Sequence, residues 1–161
     1  MNLADRYRTR TVDVIIFPGC KAVEAVATVH TFDGANARLV AAGCPPVYDI
    51  KLAGPNSGVI SSDTLVSLTA QKQLDVLAVP EVAIIVGARN VEAALSSNPE
   101  VIEWCQRASP RIARTVGLCT GSFFLAEAGL LSNRRATTHW SVTAMMQRRY
   151  PSVESSRTRF L

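Results

Sequence analysis

Short apolar runs that end at glycine or proline alternate along this sequence with longer segments of helical periodicity. The run "TVDVIIF" stops at Pro18-Gly19, and the segment "AVEAVATVHTFDGANA" that follows repeats apolar residues at helical spacing. The same order recurs where "RIARTVGLC" precedes "TGSFFLAEAGLL". Strands that alternate with helices need crossover connections, which produce a mostly parallel sheet covered on both faces. The sequence therefore predicts an α/β sandwich.

The other elements follow from the same patterns. A helix is predicted from about Ala22 to Ala37, a second strand in "PPVYDIKLA", and a small two-stranded ribbon in "NSGVISSDTLVSL". The apolar run "LDVLAVP", closed by proline, is predicted to be a fourth buried strand. Two helices are predicted in "NVEAALSSNPEVIEWCQRA", with a break between them at Asn98-Pro99.

Composition limits the class of protein. The 161 residues are 48% hydrophobic and 19% charged, which favours one globular domain, residues 1–161, with a large core. The apolar runs are far shorter than the ~20 residues of a membrane-spanning helix, so we expect a cytoplasmic protein with no membrane partner. The net charge is +4, but the arginines are dispersed, so we do not expect this segment alone to bind nucleic acid.

The cysteines and histidines predict neither a metal site nor a disulfide framework. The chain has two histidines and four cysteines without CxxC spacing, namely Cys20, Cys44, Cys105 and Cys119. We therefore expect reduced thiols, no metal and no cofactor.

The pentapeptide Gly117-Leu118-Cys119-Thr120-Gly121 puts a cysteine between two glycines, where a strand pattern gives way to a helix pattern. This is the form of the strand-to-helix bend that carries the nucleophile in many hydrolases. Glycine suits the flanking positions because a Cβ atom there would collide with the adjacent strand and helix. A sulfur at the start of a helix is favoured as the thiolate. On these residues alone, a reactive thiol and an ordinary core cysteine are equally compatible with the pattern.

Two further residues are candidates to act on that sulfur. His139 follows the helix that begins at Cys119 and could return to the same edge of the sheet, where an imidazole accepts a proton or pairs with a thiolate. Glu24 follows the first strand, which opens on that edge, and its carboxyl group could share a hydrogen bond with the thiol. The alternatives are a structural histidine and a first-turn glutamate favoured by the helix dipole.

The segment "WCQRASPRIARTVGLCTGSFFLAEAGLLSNRRATTHW", together with "YDIKLAG" and "SSDTLVSL", resembles the ThiJ/PfpI superfamily, which shares the class I glutamine amidotransferase-like fold. The resemblance extends from "VDVIIFPG" to "RRYPSV". It is greatest to the branch found as the N-terminal domain of AraC/XylS-type transcriptional regulators. It implies a flavodoxin-like three-layer sandwich with a mostly parallel sheet, usually assembled as a dimer.

The resemblance also implies roles for individual residues. Cys119 matches the family's cysteine at the bend, Glu24 its acidic partner after the first strand, and His139 the histidine of the "TTH" stretch. Thr120 and Gly121 would then line a pocket for a small-molecule effector. In the regulator branch DNA is held by two helix-turn-helix units behind this domain, and we expect DNA binding only through such a C-terminal region, which this sequence does not contain.

Two differences from the family bear on function. Where relatives usually carry a Pro-Gly-Gly turn whose N–H groups can face an oxyanion, this chain has Val79-Pro80-Glu81-Val82. We therefore expect Pro80 and Glu81 at the pocket, where a lost donor costs ~3 to 4 kcal/mol of transition-state stabilisation and the Glu81 carboxylate opposes developing negative charge. The chain also stops at Leu161, before the family's C-terminal strand and closing helix, so we expect a shortened domain with an open apolar sheet face.

These observations favour the ligand-sensing domain of an AraC-family regulator that binds a small molecule near Cys119. The alternative is a cysteine-dependent enzyme of the isocyanide hydratase or amidohydrolase kind, with Cys119 as nucleophile and Glu24 or His139 as proton shuttle. A third hypothesis is a redox-responsive thiol, in which Cys119 oxidises to a sulfenic or sulfinic acid beside Glu24.

Overall fold

A parallel sheet organises the chain, whose residues 8–155 are described by a computed structural model. In chain order the strands are β1 (Arg10–Ile15), β2 (Tyr48–Gly54), β3 (Gly58–Ser61), β4 (Ser67–Ala70), β5 (Lys72–Gln73), β6 (Val82–Ile85), β7 (Arg114–Gly117), β8 (Arg135–Ala136) and β9 (Glu154–Ser155). The central sheet has the order β5-β2-β1-β6-β7, and all its neighbouring strands are parallel. The antiparallel ribbon β3–β4 and the short pair β8–β9 form separate sheets.

Helices connect the parallel strands and cover the sheet. They are α1 (Ala22–Ala41), α2 (Val91–Ser97), α3 (Pro99–Ala108), α4 (Ser122–Glu127) and α5 (Thr143–Arg149), with 3-10 turns at Ser109–Arg111, Cys119–Gly121 and Trp140–Val142. In the part of the chain that the structure describes, no helix combines the length and apolarity needed to cross a bilayer.

The burial of β1 shows that layers lie on both faces of the sheet. Successive strand residues point to opposite faces, yet Val12, Val14 and Ile15 are fully buried and Asp13 is only 3% exposed. The predicted α/β sandwich with a mostly parallel sheet is therefore confirmed. Beyond β1 the core continues into α4, where the rings of Phe17 and Phe124 pack with their centroids 4.6 Å apart.

Several predicted elements are confirmed at their predicted positions. The first helix begins at Ala22 and extends further than predicted, to Ala41. The predicted ribbon is the β3–β4 pair. The break at Asn98-Pro99 separates α2 from α3, and the buried Asn98 side chain donates a hydrogen bond to the Ala94 carbonyl at 2.8 Å. Pro99 then begins α3. Proline suits this first position because the N–H that it lacks would have no partner within the helix.

The strand predicted in "LDVLAVP" is wrong. Residues 74–80 form an irregular connection, in which the Asp75 carboxylate accepts a hydrogen bond from the Leu77 N–H at 2.7 Å and turns the chain. Leu77 is 82% exposed, which a buried strand would not permit. The strand lies further on, at Val82–Ile85, where Ala83 and Ile85 are fully buried between β1 and β7. Because the strand lies later in the sequence than predicted, Pro80 and Glu81 precede it and do not follow it.

The β7 end of the sheet carries exposed apolar surface. β7 is the last strand in the sheet order, and its residues alternate between exposed and half-buried. Val116 is 38% exposed there. The residues that the structure describes therefore leave this edge of the sheet partly uncovered.

Candidate functional site

The candidate site is built on the bend that joins β7 to α4. After β7 ends at Gly117, the chain turns through Cys119, whose φ of +50° lies in the left-handed region. That conformation costs a residue with a side chain roughly 1–2 kcal/mol, so surrounding contacts must hold it. One such contact is the hydrogen bond from the Leu118 N–H to the Ile85 carbonyl at 2.9 Å, which fixes the bend against β6.

The two glycines of the bend have the steric role that the sequence predicts. A Cβ atom on Gly117 would lie 2.6 Å from the Ser122 nitrogen at the start of α4. A Cβ atom on Gly121 would overlap the Ile85 carbonyl oxygen of β6. Any other residue at either position would force the bend away from its neighbours.

The Cys119 side chain is half-buried and lies beside a lysine. Its sulfur is 3.5 Å from Lys21 Nζ, which donates a hydrogen bond to it. Lys21 belongs to the turn between β1 and α1, and its side chain is 24% exposed. The lysine therefore places a positive charge beside the sulfur.

Glu24 lies behind the lysine and connects it to the turn after β6. Its Oε1 atom is 3.6 Å from Lys21 Nζ, and its Oε2 atom accepts a hydrogen bond from the Gly87 N–H at 2.7 Å. The side chain of Glu24 is 16% exposed. The recorded contacts thus connect this carboxylate to Cys119 through Lys21, whereas the sequence suggested a direct hydrogen bond with the thiol.

Thr120 joins the bend to the same turn. Its buried hydroxyl accepts a hydrogen bond from the Ala88 N–H and donates one to the Ala88 carbonyl, both at 2.8 Å. Together with the bond from Gly87 to Glu24, these contacts engage the N–H groups of both Gly87 and Ala88. The turn after β6 is therefore fixed, and its two donors already have protein partners.

His139 reaches the same region from the other side. Thr138 donates a hydrogen bond to the Cys119 carbonyl at 3.1 Å and so ties this segment to the bend. The His139 Nδ1 atom lies 2.7 Å from the Ser141 hydroxyl oxygen, and the imidazole lies against the exposed ring of Trp140. The imidazole is thus positioned by its own neighbours in the chain.

A cavity of about 910 Å³ opens beside these groups. Most of the surface that lines it belongs to apolar atoms, and its wall includes residues of α1 and of the connection between β3 and β4. Its polar lining includes Lys21, Glu24, Asp63, Arg89, Thr120 and His139. The structure therefore brings Glu24, Thr120 and His139 to one cavity, and Cys119 adjoins it through its contact with Lys21.

Pro80 and Glu81 lie elsewhere, which corrects the expectation that they line the pocket. Both precede β6, whereas Cys119 follows β7, and the two strands are parallel, so the two sites occupy opposite ends of the sheet. The Glu81 carboxylate pairs with Arg8 at 2.9 Å, and the backbone N–H of Glu81 donates a hydrogen bond to the Thr11 hydroxyl. The cause is the misplaced strand, since the turn that faces the bend is residues 86–88.

Sequence reasoning missed four residues of the site. Lys21 contacts both Cys119 and Glu24, and the N–H of the turn residue Gly87 donates to Glu24. Asp63 and Arg89 lie 3.5 Å apart on the cavity wall. The sequence did contain a signal for Lys21, because it precedes Glu24 by about one helical turn and could therefore pair with it. Gly87 would have been found by assigning "VAIIVGA" as the strand.

Two of the other three thiols are more deeply buried than Cys119. Cys20 and Cys105 are buried, and desolvation raises the pKa of the Cys20 thiol and raises the pKa of Cys105 to about 12. Both are therefore protonated and unreactive near neutral pH. Over residues 8–155, no three His, Cys, Asp or Glu side chains converge as metal ligands would.

Comparison with known proteins extends these observations. The chain is 29% identical over 141 residues to an uncharacterized Streptomyces lividans protein in the cpoL 5′ region, covering 88% of this chain and 95% of that one. It is 26% identical over 146 residues to the HTH-type transcriptional regulator CdhR of Pseudomonas aeruginosa, covering 91% of this chain but only 41% of the regulator.

Solved structures share the fold. An AraC family transcriptional regulator from Pseudomonas putida superposes with a TM-score of 0.69 at 22% identity, over 94% of this chain and 78% of that one. The sequence model of the DJ-1/PfpI family matches residues 10–158, nearly the whole chain. The chain therefore belongs to the DJ-1/PfpI family.

Proposed function

We propose that this chain is the ligand-sensing domain of an AraC-family transcriptional regulator and that it binds a small molecule in the cavity beside Cys119. The cavity carries the proposal: about 910 Å³ is within the range of small-molecule sites, and it lies beside the bend after β7, at the carboxyl ends of the parallel strands. CdhR is named an HTH-type regulator, and this chain spans 41% of it. DNA would be contacted by a different region of such a regulator.

The engaged donors of the 86–88 turn support binding over catalysis. An acyl-transfer or hydration enzyme needs N–H groups free to face a developing oxyanion, and each such donor is worth about 3–4 kcal/mol. Here the Gly87 N–H bonds to Glu24 and the Ala88 N–H bonds to Thr120. An oxyanion would have to displace a carboxylate or a buried hydroxyl, which disfavours turnover.

A cysteine-dependent hydratase or amidohydrolase is the second candidate. The left-handed backbone of Cys119 and the neighbouring Lys21 ammonium favour it, because strained bends and electropositive surroundings are common at nucleophilic cysteines. Oxidation of the same thiol is a third possibility that these features support. We place the domain in the cytoplasm, as its regulator relatives and reduced thiols favour.

We also propose that the domain forms a homodimer through the surface around the cavity mouth. Large apolar side chains are exposed there, namely Val23 (72%), Val66 (53%) and Trp140 (79%), and Leu65 is fully exposed beside Val66. Large apolar side chains exposed around one site are typical of a protein interface.

A search for binding and turnover tests the sensing proposal. A small-molecule library is screened by thermal shift, and each hit is recovered and weighed by mass spectrometry. We expect at least one compound to raise Tm, since a ligand that binds the folded state stabilises it, and to be recovered unchanged. Isocyanides and amides are assayed in parallel. Turnover by the wild type that is lost in Cys119→Ser would contradict sensing and establish the enzyme.

The role of Lys21 predicts the reactivity of the thiol. Replacing Lys21 by Met removes the ammonium 3.5 Å from the Cys119 sulfur, so alkylation of Cys119 by iodoacetamide at pH 7.5 should become several-fold slower. The rate is measured by peptide mass spectrometry. Lys51→Met is the control, because Lys51 lies on β2 and pairs with Asp49. Equal or faster alkylation in Lys21→Met would show that the lysine only covers the sulfur.

Sedimentation tests the dimer. The wild type is expected at twice the 17.3 kDa chain mass, and Val23→Asp is expected to be monomeric because it places a charge in the apolar interface. Val40→Asp is the control, since Val40 is 57% exposed at the far end of the same helix. A monomeric wild type, or equal dissociation in both variants, would refute this interface.

A further inference from the structure

We infer that the cavity selects an uncharged, largely apolar ligand with one hydrogen-bonding end, an inference that rests on the proposed sensing function. The argument starts from the charges on its wall. Lys21 lies 3.6 Å from Glu24, and Arg89 lies 3.5 Å from Asp63. Each charge on the wall of the cavity is thus paired with an opposite charge on the same wall.

The burial of the acidic partners makes this pairing matter. The side chains of Glu24 and Asp63 are only 16% and 12% exposed, so each carboxylate gains from its cationic partner, and the Arg89 charge is partly screened by water because its side chain is 74% exposed. Glu24 also accepts the Gly87 N–H. A ligand carboxylate would compete with these groups for Lys21 or Arg89, and a ligand ammonium would compete for the carboxylates.

The remaining lining completes the description of the ligand. The titratable groups besides the two pairs are His30 and His139. Thr64 and Ser141 line the cavity, and their hydroxyl groups, which already bond to Ser62 and His139, retain capacity to accept a further hydrogen bond from one polar end of a ligand. Apolar atoms form most of the rest, so a ligand charge would lose water without gaining a partner.

A matched ligand series tests this inference. Hexanamide, hexanoate and hexylamine share a chain length and differ in charge, and their Kd values are measured by ligand-observed NMR titration of the whole chain at pH 8. Hexanamide is expected to bind about tenfold more tightly than either ion, because the charge of each ion would lose water in the cavity without gaining a partner.

Two variants weaken the preference if the pairing is its cause. Asp63→Asn leaves Arg89 without its partner, so hexanoate should gain several-fold in affinity, a modest gain because the Arg89 side chain is 74% exposed. Arg89→Gln leaves Asp63 without its partner, so hexylamine should gain. The double variant Asp63→Asn/Arg89→Gln removes both charges of the pair and is the matched control. In it the preference for hexanamide over the two ions should return to the wild-type value.

The outcomes separate the two proposals. If hexanoate or hexylamine binds the wild type as tightly as hexanamide, or if none of the three binds while a charged library compound does, the selection of neutral ligands is refuted and sensing stands. If neither the series nor any library compound binds, the sensing function itself is refuted, and the inference fails with it. Variants in which neither ion gains affinity relative to hexanamide would also overturn the inference.

Discussion

The contact between the 117–121 bend and β6 holds the rest of the site in place. Gly121 has no room for a side chain against the Ile85 carbonyl, and the Leu118 N–H donates to the same oxygen. This close approach forces the chain to turn within a few residues, and Cys119 takes the left-handed conformation as a result. The sulfur then lies beside Lys21, and the cavity opens next to that lysine.

The hydrogen bonds that stiffen this region also limit its chemistry. The Glu24 carboxylate and the Thr120 hydroxyl join segments far apart in the sequence by accepting the N–H groups of Gly87 and Ala88. Each such bond contributes about 1 kcal/mol or somewhat more to stability, and each removes a donor that catalysis would need. A rigid, internally satisfied wall suits a site that recognises a ligand and leaves its bonds intact. This is the physical reason for preferring sensing over turnover.

Local patterns predicted the fold and part of the site. The glycines around Cys119 signalled the bend because their requirement is steric and short in range. Glu24 and His139 were placed at one edge because parallel strands bring their following turns together, and both line the cavity. The error in the site came from "LDVLAVP" and "VAIIVGA", since both are apolar and only burial between two neighbours distinguishes the true strand. The charge pairing of Asp63 with Arg89 depends on tertiary packing, which one sequence does not reveal.

Mapping the bound ligand on the protein tests the central claim most directly. Amide chemical shifts of the 15N-labelled chain are recorded while hexanamide is added. The cavity beside Cys119 predicts the largest changes at residues 21–27, 63–66, 88–89 and 139–142, the segments that form its wall. A separate groove near β7 is lined by residues within 109–115 and 125–134, and largest changes there would contradict the account.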